Sequence, residues 1–234
     1  EYAYVRYQSE NQIQVIDLDT GELQWLFAGS DPTDLDLAPD GDELMVVSRT
    51  SRELRVFDAV DPFDGPRLLD LPASETIGSL AMAPFGDMAL LYTTIELTDR
   101  VTVWNRVTDE LTIRRLEKPI DQVVMAPDGE SALVVHTYAD VVGENDVYSD
   151  NWVVTIVTMD EDTFIPSAFL LEDELLGVSN FDDGRKAVLM MQDNRNVIVV
   201  DYPTRLVDDV LVPSYPVYAG VMPDEPGLPT PVAW

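Results

Sequence analysis

The sequence predicts an all-β fold, a β-propeller whose blades are sheets of four antiparallel strands. Two observations predict this fold: a turn of the Pro-Asp-Gly type recurs along the 234 residues, and each copy of the turn is followed by an apolar, β-rich run. A third observation argues against helical repeats, because no segment of ten or more residues carries an apolar stripe at helical spacing.

The recurring turn sets the length of the repeat. Its copies are Ala38-Pro-Asp-Gly41, Ala83-Pro-Phe-Gly86, Ala126-Pro-Asp-Gly129 and Phe181-Asp-Asp-Gly184, with Met222-Pro-Asp-Glu225 as a weaker fifth. Successive glycines are separated by 45, 43 and 55 residues, which is the length of one four-stranded blade.

Four strands are predicted in each complete unit. In the clearest copy they cover residues 33–37, 44–48, 54–58 and 67–71, and the turn joins the first two as a hairpin. The third strand of most units ends in a side chain that forms turns. We predict that these side chains cap the following turn; they are Asp17, Asp58, Asn105 and Asp201.

The units divide a single propeller domain, 1–234, into about five blades. Their approximate ranges are 1–32, 33–76, 77–119, 120–174 and 175–216, with a partial unit at 217–234. The chain opens on a strand of the second type and closes on another, so the strand tally is not a multiple of four. We therefore expect an arc of a six- to eight-bladed ring that further sequence completes, or irregular pairing at the ends.

One repeat has a recognisable motif pattern. Residues 11–47 read Ile-Gln-Val-Ile-Asp, Asp-Thr-Gly-Glu-Leu, Gly-Ser-Asp-Pro-Thr and Ala-Pro-Asp-Gly in succession, and later units keep the strand order but lose the Asp-Pro-Thr step. This pattern resembles the YVTN-type repeat of surface-layer and lactonase-like propellers. The resemblance implies a propeller fold, and it is compatible with a binding protein or with a lactonase-like hydrolase that holds a divalent cation in or near its channel.

Composition excludes several functions. The chain has 44 acidic and 14 basic residues and a formal charge of −30, which opposes binding to nucleic acid. Its apolar runs are too short to span a bilayer, so we expect no membrane insertion. It has no cysteine, which excludes disulfides, thiolate metal sites and a cysteine nucleophile.

Candidate binding residues lie on the predicted rim, which we define as the loops between fourth and first strands and between second and third strands. The longest of these loops runs from residue 138 to residue 152. We expect Tyr148 and Trp152 in it to anchor a partner, together with Arg49 and Arg100 on other rim loops. Alternatively, Asp140, Glu144, Asp146 and Asp150 converge on a calcium ion, or the loop is a plain insertion.

Other singular residues are predicted to be structural. His136 is the only histidine, and its place in a second strand favours a packed, hydrogen-bonded side chain. Trp25 and Trp104 lie in or beside strands, where packing between blades is the favoured role.

No catalytic constellation is visible in the sequence. The leading hypothesis is therefore a non-enzymatic binding or scaffolding propeller that recognises a protein or a glycan through its rim loops, without a resident cofactor. We expect it to be extracellular, at a cell surface or periplasmic, or one part of a larger extracellular assembly. The alternative is the lactonase-like hydrolase with a divalent cation.

Overall fold

The computed structural model describes residues 1–7, 10–38, 40–83, 87–138, 146–160, 163–181, 183–217 and 219. Within these residues it contains nineteen β-strands and two short 3-10 helices, at Pro62–Asp64 and Asp146–Tyr148. The predicted all-β fold is confirmed. The turn at 84–86, the loop segment 139–145 and the predicted terminal strand at 231–234 lie outside the described residues.

The strands form five antiparallel sheets that follow one another along the chain. The first sheet has three strands, β1 (Tyr2–Arg6), β2 (Gln12–Asp17) and β3 (Leu23–Phe27). The other four sheets have four strands each, paired in chain order: β4 (Pro32–Leu37), β5 (Glu43–Ser48), β6 (Glu53–Asp58) and β7 (Arg67–Asp70); β8 (Ser79–Met82), β9 (Met88–Tyr92), β10 (Arg100–Asn105) and β11 (Glu110–Arg115); β12 (Ile120–Met125), β13 (Ser131–His136), β14 (Trp152–Met159) and β15 (Phe164–Leu171); β16 (Leu175–Asn180), β17 (Lys186–Met191), β18 (Asn196–Asp201) and β19 (Leu206–Leu211).

In the three sheets where its glycine is described, the repeated turn closes the first hairpin by the same geometry. Gly41, Gly129 and Gly184 have φ of +79°, +75° and +67°, a region that L side chains rarely adopt. The amide of each glycine donates to the carbonyl three residues earlier, for example from Gly41 N to Ala38 O over 2.8 Å. Glycine at the fourth position of such a turn is therefore a backbone requirement.

The side chains at the ends of the third strands cap the turns that follow, as predicted. Asp17 Oδ1 accepts hydrogen bonds from the amides of Asp19 and Thr20, and Asn105 Oδ1 accepts from Val107 and Thr108. The equivalent acceptors in the second and fifth sheets are Asp58 and Asp201. Amide hydrogen bonds lower the pKa of the Asp17 and Asp58 carboxyls, because the charged form is the better acceptor.

Apolar side chains are buried between successive sheets. Four buried clusters occur among the described residues, and each joins two sheets that are neighbours in the chain. Ile13 and Val15 of the first sheet pack with Val46 and Phe57 of the second, for example. Trp104 is fully buried in the cluster between the second and third sheets, so its predicted packing role is confirmed.

Each of the two terminal sheets packs against another described sheet on one side only. On the outer side of the first sheet, Leu23 and Trp25 are 59% and 50% exposed, and Trp25 contacts the ring of Tyr7 at 5.6 Å between centroids. Within the described chain no second sheet covers Trp25, so its predicted packing between blades stays a prediction. Such an apolar face is typical of a surface that packs against something else.

We predict that Trp104→Ala lowers the free energy of unfolding by about 3–5 kcal/mol, because it opens a cavity in a close-packed cluster. Trp25→Ala is the matched control and should change stability by less than about 1 kcal/mol, since half of that side chain is already in water. Denaturant titration of both variants measures the difference. Equal losses would contradict the assigned packing.

Candidate functional site

The loops of the predicted rim lie together at one end of the sheets. Backbone hydrogen bonds join the loop before each first strand to the residue after the second strand: Arg49 N donates to Asp31 O, Thr137 N to Pro119 O and Gln192 N to Glu174 O, over 3.0, 3.0 and 2.7 Å. The repeat therefore presents its connecting segments as one surface.

The first strands of three sheets carry an irregularity at this end. The register of β4, β12 and β16 shifts after Pro32, Ile120 and Leu175, so one extra residue bulges from each strand. In β12 the extra residue is Asp121, which is exposed. A bulge redirects a side chain without ending the strand.

A pocket of about 280 Å³ opens on the rim between the fourth and fifth sheets. We call it the rim pocket. Its walls come from β12, β13, β14 and β16 and from the loops beside them. The lining residues are Asp121, Val135, His136, Thr137, Tyr138, Trp152, Glu174 and Leu175.

Two aromatic rings form one side of the rim pocket. The centroids of Tyr138 and Trp152 lie 4.7 Å apart, and the ring planes are tilted by 45°. Such a pair is attractive beyond its buried area. Tyr138 is 46% exposed, so part of its ring remains available to a ligand.

The charged groups that line the rim pocket at neutral pH are the carboxylates of Asp121 and Glu174. Both side chains are exposed, Asp121 at the bulge of β12 and Glu174 just before β16. No lysine or arginine lines the rim pocket among the described residues. The pocket is therefore an aromatic and acidic surface.

His136 forms the floor of the rim pocket as a neutral side chain. Its Nδ1 lies 2.9 Å from the carbonyl oxygen of Lys118 and 3.2 Å from that of Pro119, so Nδ1 carries the proton and donates. Nε2 then accepts from the Thr155 hydroxyl at 2.7 Å. Burial lowers the pKa of His136 to about 4. The predicted packed histidine is confirmed.

Thr137 also lines the rim pocket. Its hydroxyl oxygen is fully buried, so it does not face the open space of the pocket, and it has no hydrogen-bond partner among the described residues. A buried hydroxyl without a partner is costly to the fold.

Lys118 fixes the segment that precedes Trp152. The side chain is fully buried, and its Nζ donates to the carbonyl oxygens of Tyr148 and Asn151, each over 2.9 Å. Because the Lys118 carbonyl also accepts from His136, one residue ties the loop to the floor of the rim pocket.

The predicted binding residues occupy different places on the rim. Trp152 lines the rim pocket, whereas Tyr148 is half-buried near it, does not line it, and gives its carbonyl to Lys118. Arg49 lies against Gly78, where an added Cβ would clash with the guanidinium group. Arg100 pairs with the buried carboxylate of Glu75 at 3.1 Å. The structure therefore does not bring these four residues together.

The predicted calcium ligands fall mostly outside the described structure. Asp140 and Glu144 lie outside the described residues, and the backbone of Asp146 begins the second 3-10 helix. Asp150 is exposed with φ of +53°. Among the described residues, no group of three or more His, Cys, Asp or Glu side chains is arranged to hold a metal ion.

A second acidic region lies on β4, the first strand of the second sheet, beside β8 of the third. Asp34 Oδ2 accepts from the Leu80 amide at 2.7 Å, which links β4 to β8. Burial and the neighbouring Asp34 carboxylate raise the pKa of Asp36 to about 6. The pKa of Tyr92 is also raised, first by burial and then by Asp34, Asp36 and Asp121.

Sequence reasoning missed three residues of the site. Tyr138 and Asp121 were not singled out, because their roles depend on the ring contact with Trp152 and on the bulge of β12. Lys118 was not singled out either. The composition does contain a clue to it, because only two lysines occur in a chain of charge −30. A lysine that is rare in its chain is a candidate for a buried side chain with specific partners.

Solved structures share this fold over most of the chain. The hydrazine synthase of Kuenenia stuttgartiensis matches with a TM-score of 0.61 and 15% identity, over 92% of this chain and 64% of that chain. The dihydro-heme d1 dehydrogenase NirN, solved in complex with DHE, gives 0.62 and 14%, over 92% and 45%. A functionally unknown protein from Desulfotomaculum acetoxidans gives 0.65 and 13%, over 90% and 65%.

These matches define the class of protein by fold. Identities of 13–15% show the architecture alone, and together with the five sheets they show a β-propeller. The chain spans 45–65% of the length of these solved chains. No family model matches the sequence, and no curated protein does. Among the described residues, no helix has the length and apolar composition that crossing a bilayer requires.

We predict that Lys118→Met lowers the free energy of unfolding by about 1–3 kcal/mol, because the carbonyls of Tyr148 and Asn151 lose a buried donor. The amides of residues 146–151 should exchange with solvent faster. Lys186→Met is the matched control, since it removes the other lysine from an exposed position. Hydrogen exchange that stays unchanged in Lys118→Met would show that Lys118 does not anchor this segment.

We predict that His136 contributes stability that acid removes. Its pKa falls from 6.5 in the unfolded chain to about 4 in the fold. Between these two pH values the unfolded state therefore binds a proton that the folded state does not. As pH falls from 6.5 towards 4, the stability advantage of the wild type over His136→Gln should shrink by up to roughly 3 kcal/mol. Denaturant titration at several pH values measures it, and the contribution of Asp36 cancels in the comparison. A constant difference would contradict the assignment.

Proposed function

We propose that this chain belongs to a non-enzymatic binding propeller that recognises a protein or a glycan through the rim pocket. The observation that supports the proposal most directly is the pocket itself: two partly open aromatic rings beside two carboxylates. Ligand sites commonly combine an apolar wall with a few placed polar groups. Trp and Tyr are also the side chains that most often carry binding energy.

The way the rim pocket is built suits recognition. Its floor and walls stand on strands of two packed sheets, and Lys118 holds the loop that leads into Trp152. A ligand therefore meets side chains whose positions are already set, which lowers the entropy lost on binding. The long rim loop supplies only part of the site.

The proposal extends to the architecture of the whole protein. We take the chain as an arc of a YVTN-type propeller of six to eight blades, on the pattern of residues 11–47. The exposed apolar sides of the terminal sheets support a larger ring, as does the greater length of the matched solved chains. The setting we propose is extracellular, cell-surface or periplasmic, where the acidic surface keeps the protein soluble as part of a larger assembly.

Fluorine NMR of the intact protein labelled with 5-fluorotryptophan tests the proposal. We expect the Trp152 signal, assigned through Trp152→Phe, to shift with at least one member of a panel of peptides and oligosaccharides. Trp152→Ala and Tyr138→Ala should each weaken that ligand about tenfold or more, because both rings are exposed to it. Trp25→Ala on the first sheet is the matched control and should bind normally.

Two results would count against the proposal. One is a ligand that shifts other tryptophan signals and binds the Trp152→Ala variant as tightly as the wild type. The other is a stoichiometric calcium site in calorimetric titration together with lactone hydrolysis that depends on it. The second result would favour the lactonase-like alternative instead.

A further inference from the structure

We propose that the rim pocket binds a cationic nitrogen group, namely the ammonium or guanidinium of a basic side chain or a quaternary amine. This inference rests on the proposed function, because it names the chemistry of the group that the rim pocket recognises. It is carried by three properties of the described residues: the charge of the lining, the ring pair and the volume of the pocket.

The charge of the lining favours a cation. Asp121 and Glu174 are the ionised groups that line the rim pocket, and no Lys or Arg in the described structure shares that lining. His136 stays neutral because both of its ring nitrogens are already hydrogen-bonded in a buried position. An anionic ligand would meet two carboxylates with nothing to offset them, whereas a cation gains from both.

The ring pair adds a cation–π attraction, which favours a cationic group over a neutral one. Tyr138 and Trp152 meet at a tilt of 45° with centroids 4.7 Å apart, so the two rings form a corner. The face of an aromatic ring is the negative part of its quadrupole, and Trp is the best of the aromatic platforms for a cation. A group that enters this corner contacts an aromatic face and a carboxylate at the same time.

The volume of the rim pocket accommodates a side-chain head. The pocket holds about 280 Å³, close to the lower limit of the roughly 300–1,000 Å³ that sites for drug-sized ligands occupy. The head of one Lys, Arg or choline unit fits in it, whereas an oligosaccharide would need further subsites along the rim.

A hard metal ion fits less well, because calcium requires six to eight oxygen ligands and two sides of this pocket are aromatic or aliphatic.

Matched ligand pairs test the charge directly. Choline and 3,3-dimethylbutan-1-ol have the same shape, but the second is neutral, so fluorine NMR of Trp152 in the intact protein compares them. We expect choline to bind about tenfold more tightly. The second arm uses short peptides in which Lys is exchanged for norleucine or Arg for citrulline. We expect each exchange to weaken binding by a similar factor.

Variants of the lining test the site. Glu174→Gln and Asp121→Asn should each weaken choline about two- to fivefold, since each removes one partly solvated charge pair. Glu22→Gln, an exposed carboxylate on the first sheet, is the matched control and should leave binding unchanged. The effects of Glu174→Gln and Asp121→Asn should diminish in high salt, because screening weakens exposed pairs. All of these groups are exposed, so folding should be retained.

The outcomes separate this inference from the proposed function. Equal binding of choline and its neutral analogue, or choline binding that both carboxylate variants leave intact, overturns the cationic site. A neutral saccharide that shifts Trp152 when choline and the basic peptides do not also overturns it, yet keeps the binding propeller. Tighter binding of the Lys or Arg peptides than of free choline identifies a basic side chain of a partner protein as the source of the cation, and the reverse order identifies a small amine.

Discussion

Burial of apolar sheet faces between neighbouring blades is the interaction on which the rest of the structure depends. Each four-stranded sheet presents apolar side chains on both sides, and the only way to cover both is to place a sheet on each side. The four buried clusters follow this rule. Because the stacking is satisfied by the strands alone, the loops are released from packing and are free to vary.

The same stacking explains where the rim pocket lies. Its lining comes from two sheets that share the buried cluster around Leu133, Ile156 and Leu189, so the two sides of the pocket are held in fixed relation. Lys118 and His136 extend this rigidity from the strands into the rim through hydrogen bonds to backbone carbonyls. The rim pocket thus rests on a packed support, although its two aromatic rings, Tyr138 and Trp152, belong to residues at the ends of the long rim loop.

The sequence predicted the repeating features well, because they depend on contacts within one unit. The hairpin turn at Gly41, the cap at Asp17 and the packing of Trp104 each follow from a short pattern. The site was predicted only in part: Trp152 was chosen from its loop, but its contact with Tyr138 was not foreseen. Asp121 depends on a register shift, and Lys118 on a partner about thirty residues away, and no local pattern encodes either feature.

The charge of the protein and the charge of the rim pocket have different consequences. A net charge of −30 spread over the surface attracts any cation and raises its rate of encounter, but salt screens it and it selects no particular ligand. Selection requires groups that act at contact distance. The corner formed by Tyr138 and Trp152 supplies such contacts and partly excludes water, which strengthens the pull of Asp121 and Glu174 on whatever enters. Global charge therefore governs how fast a cationic partner arrives, and the rim pocket governs which partner stays.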